Sequence, residues 1–487
     1  SAQFLAALGF WAGLPWTLKM PVGHVVDLIW RWKGWLIFIG AGLLAVSLLI
    51  MVGLMSHRAA MEAIMSVERW FITASLLGPL GYVVQDVVAD AMTVEAVPLL
   101  DDNGVAVPDA ERKLQHTTMQ LLGRVAIIGG SALVAGVNVW MFSDAAGLPK
   151  AEKAALYTQV YWYGLVIPVV SVLGVILGAW LVWRRRKRLQ AKGLAERDVL
   201  RGIGERAQAP AINWWLLGGG LAFVIFSLVM GTSDNPWRQE IVFAGGLGIV
   251  IFLISRLVRE LDPAARNTLL ATAFVIFIFR ATPGVGPGAG WWQIDELKFD
   301  EAFLAKLGFL ATTLTLAGLF LFRRFIAERS ITYVVGFLTV IGTILSLPTL
   351  AMYYGLHEWT AAHTGGIVDA RFIALIDTAL ESPLGQVAMV PMLAWIANSA
   401  PEKLKATFFA IMASFTNLAL SAGQLGTKYL NEVYTVTREV KDLATGAIKV
   451  PKDYSQLGEL LIVAILIGLI APFIAILITR MLRWKTS

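Results

Sequence analysis

Residues 35–55, WLIFIGAGLLAVSLLIMVGLM, run for 21 positions without one ionisable side chain. At 1.5 Å per residue such a run forms a helix that crosses about 30 Å of hydrocarbon. Inside a bilayer only helices and closed barrels can satisfy their own backbone groups. Comparable apolar runs recur over 66–94, 117–142, 157–183, 212–231, 238–257, from 267 onward, and over 302–323, 331–355, 366–397, 404–430 and 456–481. Runs of about 20 residues select helices over the alternating ten-residue strands of an outer-membrane barrel. With 57% hydrophobic residues, 15% charged residues and a mean hydropathy of +0.68, the chain is read as an all-α polytopic membrane protein.

The charge pattern orients these spans. The formal charge of +6 concentrates at places such as Arg184-Arg185-Arg186-Lys187-Arg188, directly after an apolar segment, which marks a cytoplasmic flank and not a nucleic-acid surface. Counting the apolar stretch from Ser1 to Met20, about thirteen spans are expected. Their alternate connections (19–34, 95–116, 184–209, 256–266, 323–330, 398–405 and the tail) are mostly rich in Lys and Arg, which places the C-terminus inside and Ser1 outside. No charged n-region with a cleavage site opens the chain, so no secretory signal is expected. The absence of cysteine excludes disulfides, thiolate metal sites and cysteine nucleophiles. No nucleophile–base pair or metal-ligand spacing appears, so neither an enzyme nor a cofactor is expected. His24, His57, His116, His357 and His363 fall in or near loops and are read as surface residues.

Between the first two runs lies LKMPVGHVVDLIWRWKG, where Gly23 and Asp27 are followed by Arg31 and Lys33. The glycine permits a tight turn, and the aspartate can cap a helix and pair with the basic residues. Between membrane helices this pattern resembles the loop signature of the major facilitator superfamily, which joins that family's second and third helices on the cytoplasmic side. The resemblance implies a two-bundle major-facilitator-type fold in which Ser1 begins in helix two, the first helix is missing and two extra helices lie between the halves. The expected organisation is an N-terminal bundle over 1–183, a basic linker over 184–211, an inserted helix pair over 212–262 and a C-terminal bundle over 263–487.

Within the apolar spans a few ionisable residues stand out. GYVVQDVVADAMTVE, from Gly81 to Glu95, carries Asp86, Asp90 and Glu95. A carboxylate at membrane depth costs about 2.5–3.5 kcal/mol on insertion scales and so faces a cavity or a partner. Asp86 and Asp90 lie about 400° apart on a helix and share a face, whereas Glu95 is turned by about 180° from Asp86 toward the cytoplasmic end. Asp86 and Asp90 are therefore candidates for proton coupling, and Glu95, Asp27 and Arg31 for a gate; the alternative is that the acids pair with arginine and lock helices together. Asp377 and Glu381 repeat the four-residue spacing in the second half, as related halves of a carrier would. Four glycines and two prolines in 281–292 break a helix, and irregular backbone at that depth is tolerated only where it lines a cavity or is buried in protein.

Several separated blocks add a more specific likeness. PWTLKMPVGHVVD (15–27), QDVVADAMTVE (85–95), FRATPGVGPGAGWWQIDELKFDEAFL (279–304) and the long block from Phe372 to Gly426 resemble the folate-biopterin transporter family. The resemblance implies carriage of a folate or related pterin by alternating access, driven by protons, in a bacterial cytoplasmic (inner) membrane. Arg280 and Arg124 then become candidate clamps for a substrate carboxylate, which arginine binds bidentately, or counter-charges for the intramembrane acids. Arg371, beside Asp369 near a span end, is a weaker candidate of the same kind. Asn417 could read a pterin edge or hold two helices together. Asp377 and Glu381 complete the candidate substrate site, with Gln386, Asn398 and Gln424 on the same polar stripe. Trp291 and Trp292 could stack on a pterin or belong to an interfacial belt. The implied partners are a folate or pterin, protons and lipid, without nucleic acid. A second reading is a non-transporting subunit of a membrane complex that scaffolds pigment or protein partners, for which the eighteen tryptophans and the inserted pair would supply surface.

Overall fold

The computed structural model describes residues 2–13, 19–95, 100–101, 104–143, 149–203, 212–231, 233, 235–260, 262–322, 329–385, 387, 389, 405–441 and 447–482. In chain order the helices are α1 (Ala2–Gly13), α2 (Lys19–Leu28), α3 (Gly34–Ser56), α4 (Arg58–Ile64), α5 (Val67–Glu95), α6 (Asp109–Phe142), α7 (Lys150–Gly164), α8 (Val166–Ala191), α9 (Glu196–Gly202), α10 (Trp214–Gly231) and α11 (Arg238–Leu257). They continue with α12 (Pro263–Arg280), α13 (Gly288–Asp295), α14 (Glu301–Leu321), α15 (Ile331–Tyr353), α16 (Leu356–His363), α17 (Ala370–Glu381), α18 (Lys405–Val433) and α19 (Leu457–Met481). A small antiparallel hairpin, β1 (Val440–Lys441) and β2 (Ile448–Val450), precedes α19.

The expected spans fall on described helices, that over 157–183 on two (α7 and α8, parted at Leu165), and among the described residues eight spans are long and apolar enough to cross a membrane. The apolar run at 35–55 becomes α3, with a mean hydropathy of 2.6. The protein is an integral, multi-pass membrane protein. Two expectations need correction. The span over 366–397 is interrupted after Glu381, because Ser382-Pro383-Leu384 turns in a single 3-10 turn where proline removes a backbone donor. The basic run after 183 is not a loop either. α8 carries it to Ala191, with Arg184 over the Trp180 ring and Lys187 over the Trp183 ring, and Leu189 then packs with Val199 and Ile203 of the following segment.

The chain divides into two compact units. One comprises 18–127 and 148–224. Here α3 packs against α5, α7 and α8. In lipid, apolar side chains gain little by meeting one another, so close backbone approach and buried hydrogen bonds hold helices together. α3 and α5 meet glycine to glycine: a Cβ on Gly40 would stand 2.6 Å from the Gly81 carbonyl oxygen, and one on Gly81 would stand 2.5 Å from that of Gly40. Ser47 Oγ donates to the Ala74 carbonyl at 2.7 Å along the same seam. The other unit comprises 1–17, 128–147 and 225–487. In it α18 packs against α1, α11 and α12, while α19 packs against α12 and α15.

Candidate functional site

The helix break expected over 281–292 is present, and its construction shows how irregular backbone is kept there. α12 ends at Arg280, irregular chain follows, and α13 begins at Gly288. Gly286 has φ +79°, in the left-handed region where a side chain would be strained. The polar groups that the break frees are met by side chains of α18. Thr427 Oγ1 accepts from the Gly284 N–H at 2.9 Å, and Asn431 Nδ2 donates to the Val285 carbonyl at 3.1 Å. Thr427 Oγ1 in turn donates to the Gly423 carbonyl at 2.9 Å, which fixes its rotamer. Gly423 lets the two backbones approach, since a Cβ there would lie 3.1 Å from the Thr282 carbonyl oxygen.

Arg280 stands where α12 gives way to the break. Its Nε donates to the Thr416 carbonyl of α18 at 3.2 Å, and Nη1 lies 3.7 Å from Met389 Sδ. Phe277, one turn earlier, stacks on Phe415 with ring centroids 5.0 Å apart. Met389 follows the second break, at 382–385, so Arg280 touches the segments on either side of the site: α18 and the chain beyond Pro383. That second break is also braced. Thr315 Oγ1 of α14 donates to the Ser382 carbonyl at 2.9 Å, and a Cβ on Gly318 would stand 2.0 Å from the Pro383 carbonyl oxygen.

Asp377 and Glu381 lie one turn apart on α17, just before this turn. Asp377 is half-buried and Thr349 donates to it, yet among the described residues its Oδ1 is buried without a hydrogen-bond partner. Glu381 is exposed and makes no ion pair among the described residues. Asn417 neighbours Thr416 on α18 and is half-buried. The structure therefore brings Arg280 to the α18 segment that carries Asn417 and to the segment that follows the Asp377/Glu381 helix.

In the other unit, Asp86 is half-buried on α5 and forms an ion pair with Lys19 of α2, Nζ to Oδ2 at 2.7 Å. The partner is a lysine, not the arginine that pairing in the sequence pointed to. Arg124, half-buried on α6, makes no ion pair with the described residues. Arg31 is exposed in the turn Trp30–Trp32. Asp27 lies on α2 and Asp90 and Glu95 on α5, but their side chains lie outside the described residues, as do Gln386, Asn398 and His116.

Other residues singled out by the sequence take different roles. Trp292 is 5% exposed and sits in a core with Tyr353, Phe299 and Tyr454, which removes it from both an interfacial belt and a stacking face. Arg371 pairs with Asp300 at 2.8 Å and lies over the Phe303 ring, at the N-terminal end of α14. His24 is not a surface residue: it is 7% exposed, and its Nε2 accepts from the Asn213 N–H at 2.9 Å. Gln424 is exposed on α18. Beyond the breaks, Asp295 accepts from Arg438 at 2.8 Å and from the Tyr454 hydroxyl at 2.5 Å. Burial pushes the Asp295 carboxyl upward, but these hydrogen bonds and the charges of Arg438 and Lys452 outweigh it and hold the carboxyl below the usual carboxylate range. Among the described residues no group of His, Asp or Glu could hold a metal ion. Lys19, Thr427 and Asn431 were not expected. Only the polar residues of an otherwise apolar α18 at i, i+4 spacing could have signalled the last two.

Comparison with known proteins agrees with this architecture. A family model described as the BT1 family matches residues 226–485. A folate-biopterin transporter of Synechocystis sp. (strain ATCC 27184 / PCC 6803 / Kazusa) is 29% identical over 174 residues, which span 35% of this chain and 34% of that protein. The match thus covers about a third of the relative's length. Among solved structures, an auto inhibited POT family peptide transporter aligns with a TM-score of 0.56 at 12% identity, covering 98% of this chain and 88% of that one. A POT family transporter in complex with 5-aminolevulinic acid aligns with a TM-score of 0.54 at 11% identity over 98% and 93%. A point mutant of the nucleoside transporter NupG aligns with a TM-score of 0.51 at 10% identity over 98% and 91%. At these identities the likeness establishes the fold, which is of the major-facilitator type. Every protein named here is a transporter, and none is an enzyme.

Proposed function

The chain belongs to the BT1 family, and from that premise we propose that it is a secondary active transporter that carries a folate, biopterin or related pterin by alternating access. The observation that supports this most is Arg280, a half-buried cation at the end of a broken helix within the region the family model matches. Broken helices place substrate groups against freed backbone in carriers of related design. A folate offers carboxylates for a guanidinium and a pterin edge for an amide. In this reading Arg280 receives a carboxylate, Asn417 reads the pterin, and Asp377 and Glu381 face its cationic or donor groups; Arg124, in the other unit, is a carboxylate clamp of its own. Asp86, held by Lys19, and Asp90 are the proton-coupling acids, which makes the carrier a symporter, and Asp27, Arg31 and Glu95 form the gate. The setting is the cytoplasmic membrane of a bacterium.

Proteoliposomes with an imposed proton gradient test the proposal. Labelled folate or biopterin should accumulate, Arg280→Gln should abolish accumulation, and Asp86→Asn should uncouple it from the gradient. Absence of gradient-dependent uptake of any pterin by the intact chain would refute transport, whereas full activity of Arg280→Gln would remove only the clamp.

A further inference from the structure

The first turn of α11, the second of the two inserted helices, is pinned to its own unit by polar contacts. Gln239, 4% exposed, donates through Nε2 to the Ala7 carbonyl of α1 at 3.0 Å. Beside it, Glu240 Oε1 accepts from Lys428 Nζ of α18 at 2.9 Å and from the Tyr429 hydroxyl. The pair is largely shielded, with side-chain exposures of 13% for Lys428 and 20% for Glu240. Among the described residues Glu240 Oε2 is buried and has no hydrogen-bond partner, so the carboxylate depends on the donors at Oε1. From Ile241 to Ser255 α11 carries no other charge, which leaves Glu240 as its one ionic link to α18 along that stretch.

The same turn of α18 holds the helix break. Thr427 and Asn431 bond the Gly284 and Val285 backbone, while Lys428 and Tyr429, between them in sequence, bond Glu240. Successive helical residues are turned by about 100°, so Thr427 and Lys428 face different neighbours, and rotation of this turn would disturb both contacts together. A hydrogen bond to the break tolerates only a small displacement before it is lost.

We infer that Glu240 is a positioning residue, through which the inserted helix sets the rotation of the 427–431 turn of α18 and thereby keeps Thr427 and Asn431 on the broken backbone of 281–287. This goes beyond transport, because it concerns the order of the break whatever the protein carries. It also assigns the inserted pair a task within its unit: α11 braces the helix on which the break rests.

The chain has no cysteine, so single cysteines report local exposure cleanly. Val285→Cys places one in the break, and Ile367→Cys places one in an exposed turn far along the chain. With a membrane-impermeant maleimide, adding Glu240→Ala should speed labelling at position 285 about fivefold, as expected for local opening, and leave position 367 unchanged. The charge reversal Glu240→Lys with Lys428→Glu should return labelling at 285 to within about twofold of the parent. Unchanged labelling at 285, equal acceleration at both positions, or no recovery on charge reversal would overturn the inference. If Glu240→Ala does not accumulate as folded protein, Glu240→Gln replaces it under the same criteria.

Discussion

Asp86 and Asp377 look alike in the sequence. Each is the first of two acids spaced four apart within a largely apolar stretch of helix. In the structure their surroundings diverge. Asp86 has the Lys19 ammonium at 2.7 Å, so the charge is compensated where it stands. Asp377 has a hydroxyl neighbour in Thr349 and a buried oxygen with no partner among the described residues, and α15, which packs on its helix, carries no charged residue. Glu381 adds a like charge one turn on, at the C-terminal end of α17, where the helix dipole also disfavours an anion. One acid therefore has its charge met by a lysine, while the other, next to a helix break, has no cation beside it among the described residues. The same sequence pattern can hold a fold together in one place and load it electrostatically in another.

The largest test of this contrast acts on the turn that follows Glu381. Gly318→Val sets a Cβ where the Pro383 carbonyl already stands, 2.0 Å away, and must displace that turn. The expected loss is about 3 kcal/mol, read as a lower melting temperature and reduced monodisperse yield in detergent. A protein that melts like the parent would show that the turn is not rigidly held.

Next comes the compensated acid. Lys19→Gln leaves Asp86 without its cation and should cost about 2 kcal/mol, between the values for exposed and buried pairs. Lys19→Gln with Asp86→Asn should recover most of that loss in a double-mutant cycle. Additive losses would mean that the pair does not act as a pair.

A third carboxylate outside the spans calibrates the other two. Asp295, bonded by Tyr454 and Arg438, titrates below its unfolded value of about 3.9. Its contribution is therefore present above that pH and is lost as pH falls through the folded value. The melting temperature should be flat from about pH 5 to 8 and fall below about pH 4, and Asp295→Asn should flatten that fall at a cost of about 1 kcal/mol at neutral pH, because Arg438 is partly exposed. An acid-side slope equal in parent and variant would assign the fall to other groups.

The smallest effect has the opposite sign. Asp377→Asn removes an uncompensated charge and should raise stability by about 0.5 kcal/mol, seen as a small upward shift of the melting curve. A destabilised variant would reveal a cation partner for Asp377 and end the contrast with Asp86.

Much of the architecture could be read without coordinates. A span such as 35–55 has no other stable form in a bilayer, because its backbone must pair internally and its side chains offer nothing to water. The break after Arg280 was equally legible, since two prolines and several glycines cannot continue a helix. The break at 382–385 was hidden, because one proline in an apolar run is also compatible with a helix that continues through it, as at Pro79, Pro348 and Pro472. Gly318 and Thr315, more than sixty residues away, decide between these outcomes at Pro383.

What the sequence by itself determined is therefore the class of the fold, the positions of its spans and the ionisable residues placed among apolar ones. These follow from local quantities: length, hydropathy and the conformational limits of proline and glycine. Tertiary structure alone decided which partner each polar group meets. Lys19 reaches Asp86, Lys428 reaches Glu240, and Thr427 and Asn431 reach the broken backbone, whereas Asp377 receives no cation from α15, which packs against its helix. The reason is physical: a hydrogen bond or ion pair depends on a few ångströms of separation between side chains that lie far apart along the chain, and only packing sets that distance.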